Sequence, residues 1–313
     1  MKKRILAVGS SNIDFVGRMP RVPQPGETLI SNDSYAFVPG GKGANSAVAA
    51  ARLGADVVFC TRVGNDGYAF QLHDKYKAEG IDTRFVFRDK TAKTGLAVVM
   101  VEQTGHNRIV VYPGANALLS KADIEEAFTC YPDALLIQLE TDFDSVVCAT
   151  EMAHKQGAKV FLDAGPARSD YPYYSLAPLE VFSPNETETE IITGIRPTGA
   201  ESCLRAAISI CSMIRTKYVV IKLGERGCFV YDGTHCRHIA PVEIGIAVDT
   251  TAAGDAFMAA LTHRYLNNGE DIFEACEYAN GVGAYVVTKP GAFPSLPTEK
   301  QLREFLISKN AVE

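Results

Sequence analysis

The feature that most constrains this chain is an alternation. Short apolar runs end at Gly or a polar residue, and each is followed by an Ala-rich or amphipathic stretch. "RILAVG" (4–9) leads towards "GKGANSAVAAARLG" (41–54), and "DVVFCTRVG" (56–64) to "DGYAFQLHDKYKAEG" (66–80). The scheme continues with "ALLIQLE" (134–140), a helix pattern near 143–156, "AKVFLDAG" (158–165) and "LEVFSPNE" (179–186). A helix pattern near 198–215 and "KYVVIKLG" (217–224) follow. Continuous apolar strands separated by helices predict an α/β fold, with a mostly parallel central sheet and helices on both faces. Two regions break the rhythm. Residues 15–38 hold Pro20, Pro23, Pro25 and Gly26 between short apolar pieces, and 94–112 read as two strands around a Thr-Gly turn. Neither piece can bury a core alone. Both are expected in a small antiparallel sheet, a lid inserted into a single domain spanning 1–313.

Hydrophobic residues make up 47% and charged ones 22%, which suits a globular core needing no metal or disulfide. The net charge of -6 argues against a nucleic-acid partner but not against a small anion. The 8 cysteines form no C-x-x-C pair, so reduced thiols are expected. The N-terminal apolar run stops at Val8, short of a signal-peptide core, and no stretch is long enough to span a membrane. The expectation is a soluble cytoplasmic protein.

In doubly wound sheets, ligands sit beyond the carboxyl ends of the strands. The first strand ends in "GSSNID", so Asn12 and Asp14, two apart in extended chain, point to one side. "PGGKGAN" (39–45) supplies Gly41, Lys42 and Asn45, and the run from 134 ends in Glu140. Carboxylates and amides suit vicinal hydroxyls, so their convergence reads as a sugar-like site. Taken singly, Asp14 can cap a turn, Lys42 can be solvated and Asn45 can belong to a helix turn. "GGKGANSA" is not a P-loop, since Ala36 holds the first glycine position and Gly43 follows Lys42. Nor is it a dinucleotide fingerprint, since Ser46 takes the third glycine position. Its glycines are expected to allow close backbone approach to a ligand.

"SPNETETE" (183–190) places Asn185 and Glu188 as N-cap and N3 of a helix. The same pair can orient phosphate-bound Mg²⁺ through water. "KLGERG" (222–227) is a Gly-bounded turn whose backbone can lie along a nucleotide. In "DTTAAGDAF" (249–257), Phe257, Ala260, Leu261 and Tyr265 recur at helical spacing, so a helix starts near Ala253. Free N–H groups of Ala253, Gly254 and Asp255 would attract an anion there. Asp255 suits a first turn without any function, and it also suits a base for a hydroxyl attacking a phosphoryl group. His235, Cys236 and His238 lie in a short strand pattern, where i and i+3 face opposite ways, so a metal site is disfavoured.

"PGGKGANSAVAAARLG" and "DTTAAGDAF" resemble the two signatures of the ribokinase family of carbohydrate kinases, the PfkB group. "GSSNID", "QLE", "GPAR", "PNETE", "LGERG" and "TKPGAFPSLP" extend the resemblance over essentially the whole chain. It implies a ribokinase-like fold with a β-sheet lid, a frequent homodimer interface, and transfer of phosphate from ATP to the 5-hydroxyl of D-ribose. Asn12, Asp14, Gly41, Lys42, Asn45 and Glu140 match sugar-binding positions. Asp255 matches the catalytic base, with Ala253 and Gly254 in the anion hole. Asn185 and Glu188 match the Mg²⁺ and phosphate motif. Lys222 through Gly227, including Gly224, match the ATP-binding turn, and Asn280 an adenine-side position. Asp249, Thr251, Val286, Lys289, Gly291 and Ser295 match a loop for an activating K⁺. The family's commonest second signature carries Gly where Ala252 stands, which a negative φ at Ala252 would accommodate. Asp163 stands where typical bacterial members have an Asn-Pro form. The alternatives are a kinase of deoxyribose, a ketose, 2-keto-3-deoxygluconate or adenosine, and a non-catalytic sugar sensor on the same fold.

Overall fold

The apolar runs of the sequence become the central sheet. A computed structural model of the chain describes residues 2–104 and 106–310. Gly105, which closes the expected Thr-Gly turn, lies outside the described residues. The main sheet holds β1 (Arg4–Val8), β4 (Asp56–Val63), β5 (Asp82–Arg88), β8 (Ala134–Ile137), β9 (Lys159–Asp163), β10 (Leu179–Ser183), β11 (Thr216–Lys222), β12 (Cys228–Tyr231) and β13 (Cys236–Ile239). The order is β13-β12-β11-β10-β9-β8-β1-β4-β5. All pairs from β5 to β11 are parallel, and β12 and β13 add an antiparallel edge.

The helices are α1 (Lys42–Arg52), α2 (Gly67–Ala78), α3 (Lys121–Ala127), α4 (Phe143–Gln156), α5 (Glu186–Thr193), α6 (Ala200–Met213), α7 (Ala253–Asn267), α8 (Ile272–Val286) and α9 (Glu299–Asn310). They cover both faces, as strand alternation requires. Ile5 and Ala7 of β1 join one core with α1, α2, α7 and α8, while Leu6 and Val8 join the other with α3, α4 and α6. Each fully buried aliphatic side chain contributes about 2 kcal/mol, so both layers hold the sheet between them. The 8 cysteines are free thiols. Among the described residues no helix is long and apolar enough to cross a membrane.

The remaining strands are β2 (Asn12–Met19), β3 (Tyr35–Gly40), β6 (Gly95–Glu102) and β7 (Asn107–Tyr112), in the order β3-β2-β6-β7. The small sheet is mixed rather than antiparallel throughout. β2 and β6 both run outward and pair in parallel, and each has an antiparallel return strand. A second difference concerns Asn12 and Asp14. β1 ends at Val8, and these two residues belong to β2, so they sit at the root of the lid rather than on the tip of a core strand. Register places Val38, Asp14, Ala97 and Val111 in one row across the four strands. One lid face therefore carries a carboxylate among apolar side chains.

Candidate active site

The sheet changes direction at β1, with β4 on one side and β8 on the other. Such a switch point opens a crevice at the strand ends. Here Ser10 Oγ donates to Glu140, and Lys42 N donates to Glu140 Oε2 at 3.0 Å. The start of α1 must come very close to β1. A Cβ on Gly43 would lie 2.5 Å from the Gly9 carbonyl carbon, and Gly41 has φ 92° with its Cβ position 2.9 Å from Ser10 O. These glycines let the start of α1 pack directly onto the end of β1.

The hydroxyl-binding candidates converge around this crevice. Asn12 Oδ1 accepts from Asn116 Nδ2 at 2.7 Å, and Asn116 Oδ1 accepts from Ser11 N at 2.9 Å. That orients the Asn12 amide, with no acceptor among the described residues for its Nδ2. The half-buried Asp14 carboxylate lies over Gly40, where a Cβ would come 2.5 Å from Oδ1. Burial, and then the charges of Glu140 and Asp255, push its pKa up to about 7. Asn116 was not visible as a site partner, because nothing in its spacing separates it from an ordinary loop amide. A cavity of about 500 Å³ opens at the lid root, lined by Asp66, Tyr68, Lys93, Gly95, Leu96 and Tyr112.

Asp255 is the centre of the arrangement. It lies in the first turn of α7 and is only 4% exposed. Asn45 Nδ2 donates to Asp255 Oδ2 at 2.8 Å, and Lys42 Nζ stands 3.7 Å from Oδ1. α1 packs on α7, so a sequence separation of 210 residues closes to one hydrogen bond. Asn45 Oδ1 is buried without a hydrogen-bond partner. Burial, aided by Asp163 and Glu140, raises the Asp255 pKa against the opposing pull of Lys42 and Asn45. Lys42 stays firmly protonated, because the Asp255 charge outweighs its burial. The result is a basic carboxylate beside an ammonium group.

The start of α7 differs from expectation in two respects. Ala252 has φ 64°, in the left-handed region, so the negative φ that would accommodate it is not adopted. The Ala253 N–H is taken by Thr250 O at 3.2 Å, so it is not free for an anion. Among the described residues no acceptor takes the N–H of Gly254 or Asp255. A left-handed residue next to helical ones gathers successive N–H groups into a concavity that suits an anion.

Beside the end of β11, Asn185 caps α5. Asn185 Oδ1 accepts from Glu188 N at 2.9 Å, and Glu188 Oε2 accepts from Asn185 N at 2.7 Å. The cap leaves Glu188 Oε1 beside Gly165 and Lys42. Burial and Asp163 raise the Glu188 pKa, while Lys222, the Asn185 N–H and Lys42 oppose the rise. Lys222 ends β11, and Gly224–Arg226 forms a short 3-10 turn closed by Leu223 N donating to Gly227 O at 2.8 Å. His238 Nε2 donates to the carbonyl of Arg226, 2.7 Å away, so it supports this turn. Asn280 Nδ2 donates to Ala240 O at 2.9 Å and Ile239 O at 3.3 Å, tying α8 to the end of β13. Asp163 was absent from the expected site. It accepts from Lys222 Nζ at 2.6 Å at the heart of the cluster.

Of the loop residues around Asp249, the hydrogen bonds join Thr251 and Gly291 to it. Asp249 Oδ1 accepts from Thr251 N at 2.9 Å and from Thr251 Oγ1 at 2.6 Å, and Oδ2 accepts from Gly291 N at 2.8 Å. Burial works against ionisation, yet these hydrogen bonds hold Asp249 below the usual carboxylate range. The Val286 carbonyl accepts from Lys289 N at 3.1 Å. Ser295 Oγ donates to Ala292 O at 2.7 Å. Lys289 Nζ lies 4.2 Å from the Tyr285 ring centre.

These features have counterparts in known proteins. A family model described as pfkB family carbohydrate kinase matches residues 2–299. Ribokinase of Haemophilus influenzae is 38% identical, with 98% of this chain and 99% of the relative covered. Ribokinase of Staphylococcus aureus is 34% identical over 97% of this chain and 100% of the relative. Deoxyribokinase of Salmonella typhimurium is 33% identical over 96% and 98%. A solved structure of Arabidopsis thaliana ribokinase complexed with ribose and ATP is similar at TM-score 0.87 and 28% identity, covering 97% of this chain and 98% of that one. With the family match over residues 2–299 and relatives of 34–38% identity along nearly the whole chain, the chain belongs to the pfkB family of carbohydrate kinases.

Proposed function

We propose that this chain transfers the γ-phosphoryl group of ATP to the 5-hydroxyl of D-ribose. The observation that carries the proposal is the buried, basic Asp255 carboxylate set beside the free Gly254 and Asp255 N–H groups. Asp14, the oriented Asn12 amide and the open Asn45 Oδ1 would hold the sugar hydroxyls, with Lys42, Gly41 and Glu140 framing them. Asp255 takes the proton of the attacking hydroxyl, and that oxygen bonds to phosphorus as the bond to the ADP oxygen breaks. The α7 N–H groups and Lys42 stabilise charge on the phosphoryl oxygens.

The nucleotide would lie along Lys222, Gly224 and Gly227 and reach Asn280. Asn185 and Glu188 are the residues that would hold Mg²⁺ through water, since one Glu188 oxygen is left over from the cap. Bound Mg²⁺ supplies charge neutralisation on the phosphates. Backbone carbonyls of the loops joined by Asp249 and Gly291 suit K⁺, with Thr251, Val286, Lys289 and Ser295 on the same two loops. Two copies would meet through their lids as a homodimer.

A second reading, deoxyribose as substrate, is favoured by the deoxyribokinase relative at 33% identity. The test is ADP release with ribose, deoxyribose, fructose, 2-keto-3-deoxygluconate and adenosine, with K⁺ and Na⁺ compared. Ribose is expected to give the highest kcat/KM, and a faster rival overturns the substrate. In the same assay Asp255→Asn should keep sugar binding and lower kcat by about 10²–10⁴-fold. Wild-type turnover in that variant overturns the base.

A further inference from the structure

We propose that Lys222 is a second phosphoryl-contacting cation and that Asp163 is the residue positioning it. The proposal rests on the kinase reading above and deepens it. The pair is buried, with side-chain exposures of 11% for Lys222 and 3% for Asp163, and Nζ lies 2.6 Å from Oδ2. Asp163 is itself fixed, since Oδ1 accepts from Gly165 N at 3.1 Å. The Lys222 backbone is clamped too. Its N–H donates to Pro184 O at 2.9 Å, and it forms a parallel bridge with Asn185.

The ammonium then sits at the start of α7. Lys222 Nζ is 3.6 Å from the point where a Cβ would project from Gly254. Gly254 N–H has no acceptor among the described residues, so a buried cation and a free helix donor face the same small space. An ammonium carries three donors, and Asp163 takes one. Lys42 stands on the Asp255 side of that space, and Lys222 stands on the Gly254 side.

A purely structural reading is physically weak. Burying an ion pair costs desolvation that its attraction barely offsets, and apolar replacements of similar volume are often as stable. Beside an anion site the pair has a use. Lys222 adds charge-assisted hydrogen bonds to the phosphoryl oxygens, and Asp163 keeps the ammonium from swinging onto Asp255 when the site is empty.

The test compares Lys222→Met, Asp163→Asn and the double variant Lys222→Met/Asp163→Leu. Lys222→Met should lower kcat by about 10²–10³-fold while the sugar KM stays near that of the wild type. It should also lose about tenfold in affinity for a non-hydrolysable ATP analogue while keeping its ADP affinity, measured by calorimetry. Asp163→Asn should fall between the wild type and Lys222→Met. The double variant removes both charges and should remain folded by thermal unfolding, yet stay as slow as Lys222→Met. Recovery of wild-type kcat in the double variant, or unchanged kcat and analogue binding in Lys222→Met, overturns the proposal. The nucleotide arm needs no sugar. A wrong sugar assignment would therefore show in the substrate comparison and leave this result standing.

Discussion

Ala252 occupies φ 64° at the entry to α7, a conformation that costs an L-residue with a Cβ about 1–2 kcal/mol. Its carbonyl accepts from Ala256 N at 2.9 Å, so the left-handed turn is built into the helix start. Ala252→Gly removes the strain but gives the unfolded chain more freedom, worth about 0.4–1 kcal/mol in the other direction. The net expectation is stabilisation by roughly 0.5–1 kcal/mol, read as a higher urea midpoint at unchanged m. A lower midpoint would mean that Ala252 is not strained. Asp14 offers a second test at this scale. Its pKa is about 7 when folded against 3.8 as a free side chain, so between these values the folded chain holds the extra proton. Stability therefore falls as pH rises through that window, and the penalty is complete above it. Asp14→Asn should raise the melting temperature of the ligand-free protein at about pH 8 and leave it unchanged at the acid end of the window. Ribose binding has the opposite sign, because sugar hydroxyls donate to the ionised form. Calorimetric affinity for ribose should decline as pH drops below about 7, and Asp14→Asn should flatten that dependence. A flat wild-type profile would remove Asp14 from the sugar site.

At the scale of elements, the periodic and locally capped pieces were legible. The pattern near 143–156 became α4 at Phe143–Gln156, and the capping box in "SPNETETE" formed at the start of α5. The start of α7 at Ala253 followed from its apolar spacing. These features depend on residues three or four apart, which a sequence displays directly. Pairings set by the tertiary fold were not legible. Asn116 reaches Asn12 across 104 positions, and Asp163 reaches Lys222 across 59, through strand order rather than spacing. The lid's mixed pairing was hidden for the same reason. Two outward strands become neighbours only because both leave the same end of the main sheet.

On the scale of the whole molecule, the lid raises the question of what covers it. All six residues of β7 are exposed, and its edge offers unpaired backbone groups of the kind that recruit another chain. Ile109 and Val111 are 55% and 42% exposed. Val111 lies in the row of Asp14, and Ile109 in the next row outward with Ala36, Val16 and Val99. The apolar face thus runs from the Asp14 carboxylate to the outer edge of the lid. A second lid packed there would bury the face and shield Asp14 from water at once. The wild type should therefore sediment as a dimer at micromolar concentrations. Ile109→Lys/Val111→Lys should sediment as a monomer with unchanged far-UV circular dichroism and a ribose KM raised about tenfold, because the sheet over Asp14 loses its backing. A monomeric wild type would refute the lid dimer outright. A monomeric variant with wild-type KM would keep the dimer but detach it from sugar binding.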